Sequence, residues 1–310
     1  MKNNETKMGI IYAGFSYFLW GLLPVYWKLV QHVNADEILA NRIFWSFFFM
    51  VAVLLFTRKW GEFIQTLIHF CSNKKQLAAL VIASLFVSCN WFIYIWAVNS
   101  GHLIEASLGY YINPLVSVIL GMIVFKEKLS WAQYASFGMA LIGVLVLTIS
   151  YGQFPWISIF LALSFGLYGL VKKMVKVDSA IGLTLETLVV APFAFIYMVV
   201  LFFKGTHSFM AVSAGTDVLL IGAGVATAVP LLYFSKGAQK IPMSTLGFLQ
   251  FIAPTLTLIL GVFIYHEHFS HIHLISFLFI WTAISLFSIT KTKLFTQLET
   301  KWKKGKSIGI

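Results

Sequence analysis

Charge is what this sequence has least of. Its 310 residues are only 11% charged, against about a quarter in a soluble domain, so polar groups are too few to cover a water-facing surface. Acidic residues are the scarcest, with 11 Asp and Glu against 22 Lys and Arg. Cysteine is nearly absent, and Cys71 and Cys89 supply neither a disulfide framework nor a thiolate metal site. Signatures of self-contained chemistry are missing too. There is no P-loop GxxxxGK[ST], no HExxH, no GxSxG and no intramembrane Asp/His/Ser cluster, which excludes a one-chain ATP-driven pump and leaves a membrane-embedded enzyme without support. No cofactor is expected.

What fills the chain instead is apolar: 59% hydrophobic and 17% aromatic residues. Continuous apolar runs of about 20 residues mark transmembrane helices, whereas a β-barrel would show alternating segments of roughly ten. Ten spans are predicted, at 8–29, 37–56, 77–98, 104–125, 131–150, 154–172, 181–203, 217–236, 243–265 and 272–290. The first follows a basic start without a small-residue cleavage site and reads as a retained span rather than a signal peptide. The fold class is therefore an all-α integral membrane protein with a lipid bilayer as its partner.

The net charge of +11 does not point to nucleic acid, because the basic residues lie between spans or in the tail. With a cytoplasmic N-terminus, all of the 22 Lys and Arg except Lys28, Lys204 and Arg42 fall at the cytoplasmic side. That skew predicts both termini inside. The tail lysines, Lys291, Lys293, Lys301, Lys303, Lys304 and Lys306, suit anionic headgroups or a solvated tail equally.

A repeat underlies the spans. At an offset of 140 residues, "INPLVSVILGMIVFKEKLS" lies over "IAPTLTLILGVFIYHEHFS", matching Pro114 with Pro254, Gly121 with Gly261 and Glu127 with Glu267. At 148, "SYFLWGL" (16–22) lies over "SFGLYGL" (164–170). Two five-span halves follow, 1–150 and 151–310. Because five is odd, the second half enters from the opposite side, giving inverted repeats of the kind secondary transporters use for alternating access.

Two five-span halves, each with a Pro…Gly…Glu fourth span, resemble the EamA-type transporters of the drug/metabolite transporter superfamily. The stretches "FLWGLLPVYWK", "ADEILANRIFWSFFFM", "NWFIYIWAVN", "EASLGYYINPLVSVILGM" and "STLGFLQFIAPTL" narrow the resemblance to the RarD branch. The resemblance implies a bacterial inner-membrane location and a secondary transporter that exports small metabolites, amino acids or amphipathic drug-like solutes. A lipid-linked carrier flippase of the same superfamily is the alternative, and monomer and homodimer both stay open. Small four-span relatives carry a proton-exchanging glutamate in span 1; here span 1 has no acidic residue from Met8 to Leu29, so that mechanism does not transfer.

Candidate site residues are polar groups at membrane depth, where a charge costs roughly 2.5–3.5 kcal/mol on insertion scales. Arg42 in span 2 and Glu186 in span 7 superpose at an offset of 144. They are expected to face a central path and bind or gate, or else to pair with each other, or for Arg42 to snorkel to the outer interface beside Asp36 and Glu37. Glu105 opens span 4, where capping is the competing role. Asn90, Asn113 and Gln250 need protein or water partners. Trp91, Tyr94, Tyr110 and Tyr111 suit an aromatic or amphipathic small-molecule substrate, or serve as packing. Pro114 and Pro254 are candidate hinges or plain structural kinks. Glu127 and Glu267 are expected to make structural contacts at helix ends, and Gly14, Gly21, Gly109, Gly121, Gly169, Gly247 and Gly261 close helix contacts. His266, His268, His271 and His273 could hold zinc only if their loop is extended; no metal is expected.

Overall fold

The computed structural model describes residues 2–100, 102–175, 177–266, 269–290 and 295. The expected contacts of Glu267 and His268 and of the tail lysines lie outside them. The elements are α1 (Lys2–Leu29), α2 (Ala35–Phe56), α3 (Trp60–Ser72), α4 (Lys74–Asn99), α5 (Leu103–Val124), α6 (Trp131–Tyr151), α7 (Trp156–Met174), α8 (Ser179–Lys204), α9 (Ala214–Ala238), α10 (Met243–Gln250), α11 (Ile252–Phe263) and α12 (His271–Thr290). Ten of the resulting segments are long and apolar enough to cross a membrane, α10 and α11 together forming the ninth. They coincide with the ten expected spans to within a few residues.

These sequences are helical because hydrocarbon offers no water to backbone N–H and C=O groups, and a helix satisfies them internally. They are apolar all round because their outer surface meets lipid: no more than 50% of any span's apolar window is buried in the bundle. Local signals set the ends. Ser130 and Gln133 form a reciprocal capping box at the start of α6, and Asp178 accepts the N–H groups of Ala180 and Ile181 to start α8. Gly152 and Gly205, at φ 77° and 66°, close α6 and α8 in the left-handed conformation that glycine enters freely.

The exception is α3, which fills most of the expected 57–76 connection. At 13 residues it is about 20 Å long, too short to span. One face buries Phe63 and Phe70, while Trp60, Ile64 and Ile68 stay exposed.

Successive spans alternate direction, so one end of the bundle gathers Lys59, Lys126, Lys173 and Lys240. This is called the basic end below. Helices pair as α6 with α12, α5 with α7 and α10, α2 with α8 and α9, α1 with α9 and α11, and α4 with α7 and α8. Small residues permit the closest approaches. A Cβ on Gly224 would lie 2.4 Å from the Trp45 carbonyl carbon, and one on Gly247 2.7 Å from the Pro114 oxygen. Gly21, Gly109 and Gly121 are also tight, whereas Gly14 has no neighbour within 4 Å of such a Cβ.

The two repeat-related prolines differ. Pro114 lies inside an unbroken α5. Its counterpart follows a break: Phe251 separates α10 from α11, three residues before Pro254. Pro254 lacks the N–H that would bond the Gln250 carbonyl, which locates the interruption.

Candidate functional site

Arg42 stands seven residues after α2 begins at Ala35, and Glu186 seven after α8 begins at Ser179. At 1.5 Å per residue each is about 10 Å deep, but α2 starts at the end opposite the basic one and α8 at the basic end. Their surroundings differ sharply.

The Arg42 guanidinium carbon lies over two indoles, 4.9 Å from the Trp27 ring centroid and 4.8 Å from that of Trp91. Its Nε donates to Thr227 Oγ1 at 3.0 Å. Cation–π contacts of this kind contribute about 0.5–2 kcal/mol each, which offsets part of the insertion cost. Tyr94 and Tyr110 stand nearby. Their rings meet edge on at 5.7 Å. Tyr110 keeps 48% of its surface accessible. Arg42 itself is half-buried.

Glu186 is buried and fully engaged. Lys172 Nζ donates to its Oε1 at 2.8 Å, and the Tyr168 hydroxyl donates to Oε2 at 3.1 Å. The expected Arg42–Glu186 pair does not form; Lys172 takes that place. Around this pair the basic half is closed by a continuous apolar cluster that includes Tyr17, Leu54, Phe70, Tyr168, Phe234 and Met243. Trp20, Phe165 and Phe234 interlock with centroids 5.4–5.6 Å apart. The adjoining cavity, lined by Phe70, Leu80, Gly182, Lys172, Glu186 and Gln239, measures 20 Å³, room for about one water.

Polar links reinforce this end. Lys59 pairs with Asp178. Partial burial pushes the Asp178 carboxyl up, but Lys59 and the Ile181 and Ala180 N–H groups outweigh it and hold it below the usual carboxylate range. Lys173 donates to the carbonyls of Ala238 and Ile241, and Glu127 accepts the Met243 and Ser244 N–H groups at 2.6 and 2.9 Å. The expected structural role of Glu127 is thus a cap on α10.

The other predicted residues scatter. Asn90 donates to the Leu161 carbonyl and Ser164 Oγ at 2.9 and 3.0 Å, tying α4 to α7. Glu105 accepts from the Tyr151 hydroxyl at 2.6 Å and the Ile157 N–H at 3.1 Å, so it caps α7 rather than its own helix. Gln250 accepts from Ser117 Oγ at 2.9 Å. Tyr111 packs edge on against Phe277, away from Arg42. Asn113 is buried with its Oδ1 unpartnered. No group of three or more His, Cys, Asp or Glu fit for a metal occurs among the described residues.

Of the predicted set, the fold brings together Arg42, Trp91, Tyr94 and Tyr110. Trp27, Thr227 and Lys172 complete the two constellations and were not predicted. Trp27 and Thr227 resemble interfacial and packing residues in their own segments, and only a contact across 185 positions reveals Thr227. Lys172 adjoins Lys173 and reads as one more interfacial lysine.

The EamA-like transporter family profile matches the chain twice, over residues 7–149 and 155–289. Bacillus subtilis (strain 168) has a relative named uncharacterized transporter YojE, 49% identical over 94% of this chain and 97% of its own length. Protein RarD of Escherichia coli (strain K12) is 40% identical over 93% of this chain and 96% of its own. A solved crystal structure superposes with a TM-score of 0.69 at 18% identity, covering 90% of this chain and 96% of that one; this likeness concerns the fold alone.

Proposed function

The chain belongs to the EamA-like transporter family, and from that premise we propose a secondary transporter that moves a small solute by alternating access between inverted halves, residues 1–150 and 151–310. The observation that carries this reading is the contrast between the two ends. The basic half is sealed by aromatic packing around a buried Lys172–Glu186 pair, while in the other half Arg42 is only half-buried and Tyr110 keeps 48% of its surface accessible, which we read as the wall of a recess. One path open at one end and shut at the other is what an alternating-access cycle requires of each of its states.

The helix pairings support the inverted halves. Replace each span by its counterpart five spans away, and α1–α11 becomes α7–α5, α2–α9 becomes α8–α4, and α1–α9 becomes α7–α4. All of these are observed pairs, so the bundle's contact pattern survives the exchange. The twofold profile match supports the same division. The excess of lysine at one end supports a cytoplasmic assignment for it, which leaves the recess facing outward. Export would then release solute from the recess before the outer half closes and the basic end opens.

The test is solute exchange in liposomes containing the purified protein, with Cys71 and Cys89 replaced and cysteines at Lys59→Cys and Asp178→Cys. A reversible bis-methanethiosulfonate linker across those positions should stop saturable exchange, and reduction should restore it. Exchange that continues with the basic end locked would contradict the proposal.

A further inference from the structure

We infer that the recess takes a small monocarboxylate with a planar or aromatic body, its carboxylate bound by the free edge of the Arg42 guanidinium. The inference rests on the transporter reading above and supplies the substrate class.

Arginine carries five N–H donors. Here Nε is committed to Thr227 Oγ1, and no other hydrogen bond from Arg42 is found among the described residues. The ion pairs among those residues are Lys59–Asp178 and Lys172–Glu186, so Arg42 has no anionic partner there. Nearby carboxylates are occupied elsewhere: Glu37 accepts the Ser208 and Phe209 N–H groups, and Asp36 accepts the Tyr197 hydroxyl. An uncompensated guanidinium inside a membrane span is costly and persists where an anion is its working partner.

The geometry narrows the anion. With Nε committed to Thr227 Oγ1, the donors left for a ligand are those of the Nη edge, and they point in the guanidinium plane. That edge suits the parallel, two-pronged bond a carboxylate makes. Dianionic phosphate fits less well. Lys28 sits over the Tyr265 ring at 3.7 Å, and the side chains that contact Arg42, namely Trp27, Trp91 and Thr227, are uncharged. One positive charge among neutral walls matches one negative charge. Beyond the charge, the edges of Trp91, Tyr94 and Tyr110 offer an aromatic wall for a flat ligand body.

The test uses the full-length purified protein with three isosteric probes: benzoate, benzamide and benzylammonium. Thermal shift and equilibrium binding should show benzoate stabilising the protein, with the neutral and cationic probes at least about tenfold weaker. Arg42→Gln should lose benzoate binding by a similar factor. Arg42→Lys should also lose it, because an ammonium keeps the charge but not the planar fork. Comparable binding of benzamide or benzylammonium, benzoate binding that survives both substitutions, or no binding of benzoate to the wild type would each overturn the inference. Benzoate binding without flux in liposomes would overturn the transport reading and leave the anion site standing. Flux of neutral or cationic solutes without benzoate binding would do the reverse.

Discussion

Arg42 and Glu186 sit at matching depths from opposite ends of the bundle, one half-buried against two indoles and one locked in an ion pair. The lock has a measurable consequence. Removing one partner of a buried pair leaves an uncompensated charge and costs about 3–5 kcal/mol, whereas replacing both with apolar residues of similar size is often neutral. Glu186→Gln should therefore lower stability by about that much in an SDS unfolding equilibrium, and Lys172→Met combined with Glu186→Leu should recover most of it. If Glu186→Gln alone costs nothing, the pair is not buried as described. Legibility at this scale was uneven. A charge inside an apolar run announces itself, so Arg42 and Glu186 were visible in the sequence. Their partners were not: Trp27, Thr227 and Lys172 acquire meaning only through contacts that pair helices far apart in the chain.

Elements were more legible than contacts. Ten runs of helix-spanning length translate directly into ten spans, because a bilayer fixes how many apolar residues a crossing needs. α3 escaped that logic, since an amphipathic helix of 13 residues has neither the length nor the uniform hydropathy of a span. The asymmetry between unbroken α5 and the interrupted α10–α11 was invisible too, because Pro114 and Pro254 sit in closely similar sequence and differ only in the backbone around them. Helix approach at glycine gives the element-scale prediction. Gly224→Ala would press a methyl group against the Trp45 carbonyl carbon and the Ser46 nitrogen, where Ser46 Oγ also donates to the Gly224 carbonyl. Backbone atoms cannot rotate aside, so α2 and α9 must separate. Overpacking of this kind costs about 1–3 kcal/mol and should lower the melting temperature in detergent. Gly138→Ala, with nothing within 4 Å of the added carbon, should leave it unchanged or raised.

Across the whole molecule, the repeat legible in the sequence and the contact pattern of the helices support one another. Which end is sealed by packing was not legible, because the two halves carry similar sequence signatures and only contacts between distant helices distinguish the ends. Tyr168, Phe165, Trp20 and Phe234 pack together at one end. At the other, Arg42 is half-buried and Tyr110 keeps about half of its surface accessible. The central claim is that these ends exchange roles. The most direct measurement is single-cysteine accessibility to a membrane-impermeant maleimide, applied from each face to a cysteine-free background carrying Tyr110→Cys or Gly182→Cys. The account predicts that Tyr110→Cys is labelled only from the face opposite the basic end and Gly182→Cys from neither, and that benzoate shifts labelling between the two sites. Labelling of both positions from one face, unchanged by benzoate, would contradict it.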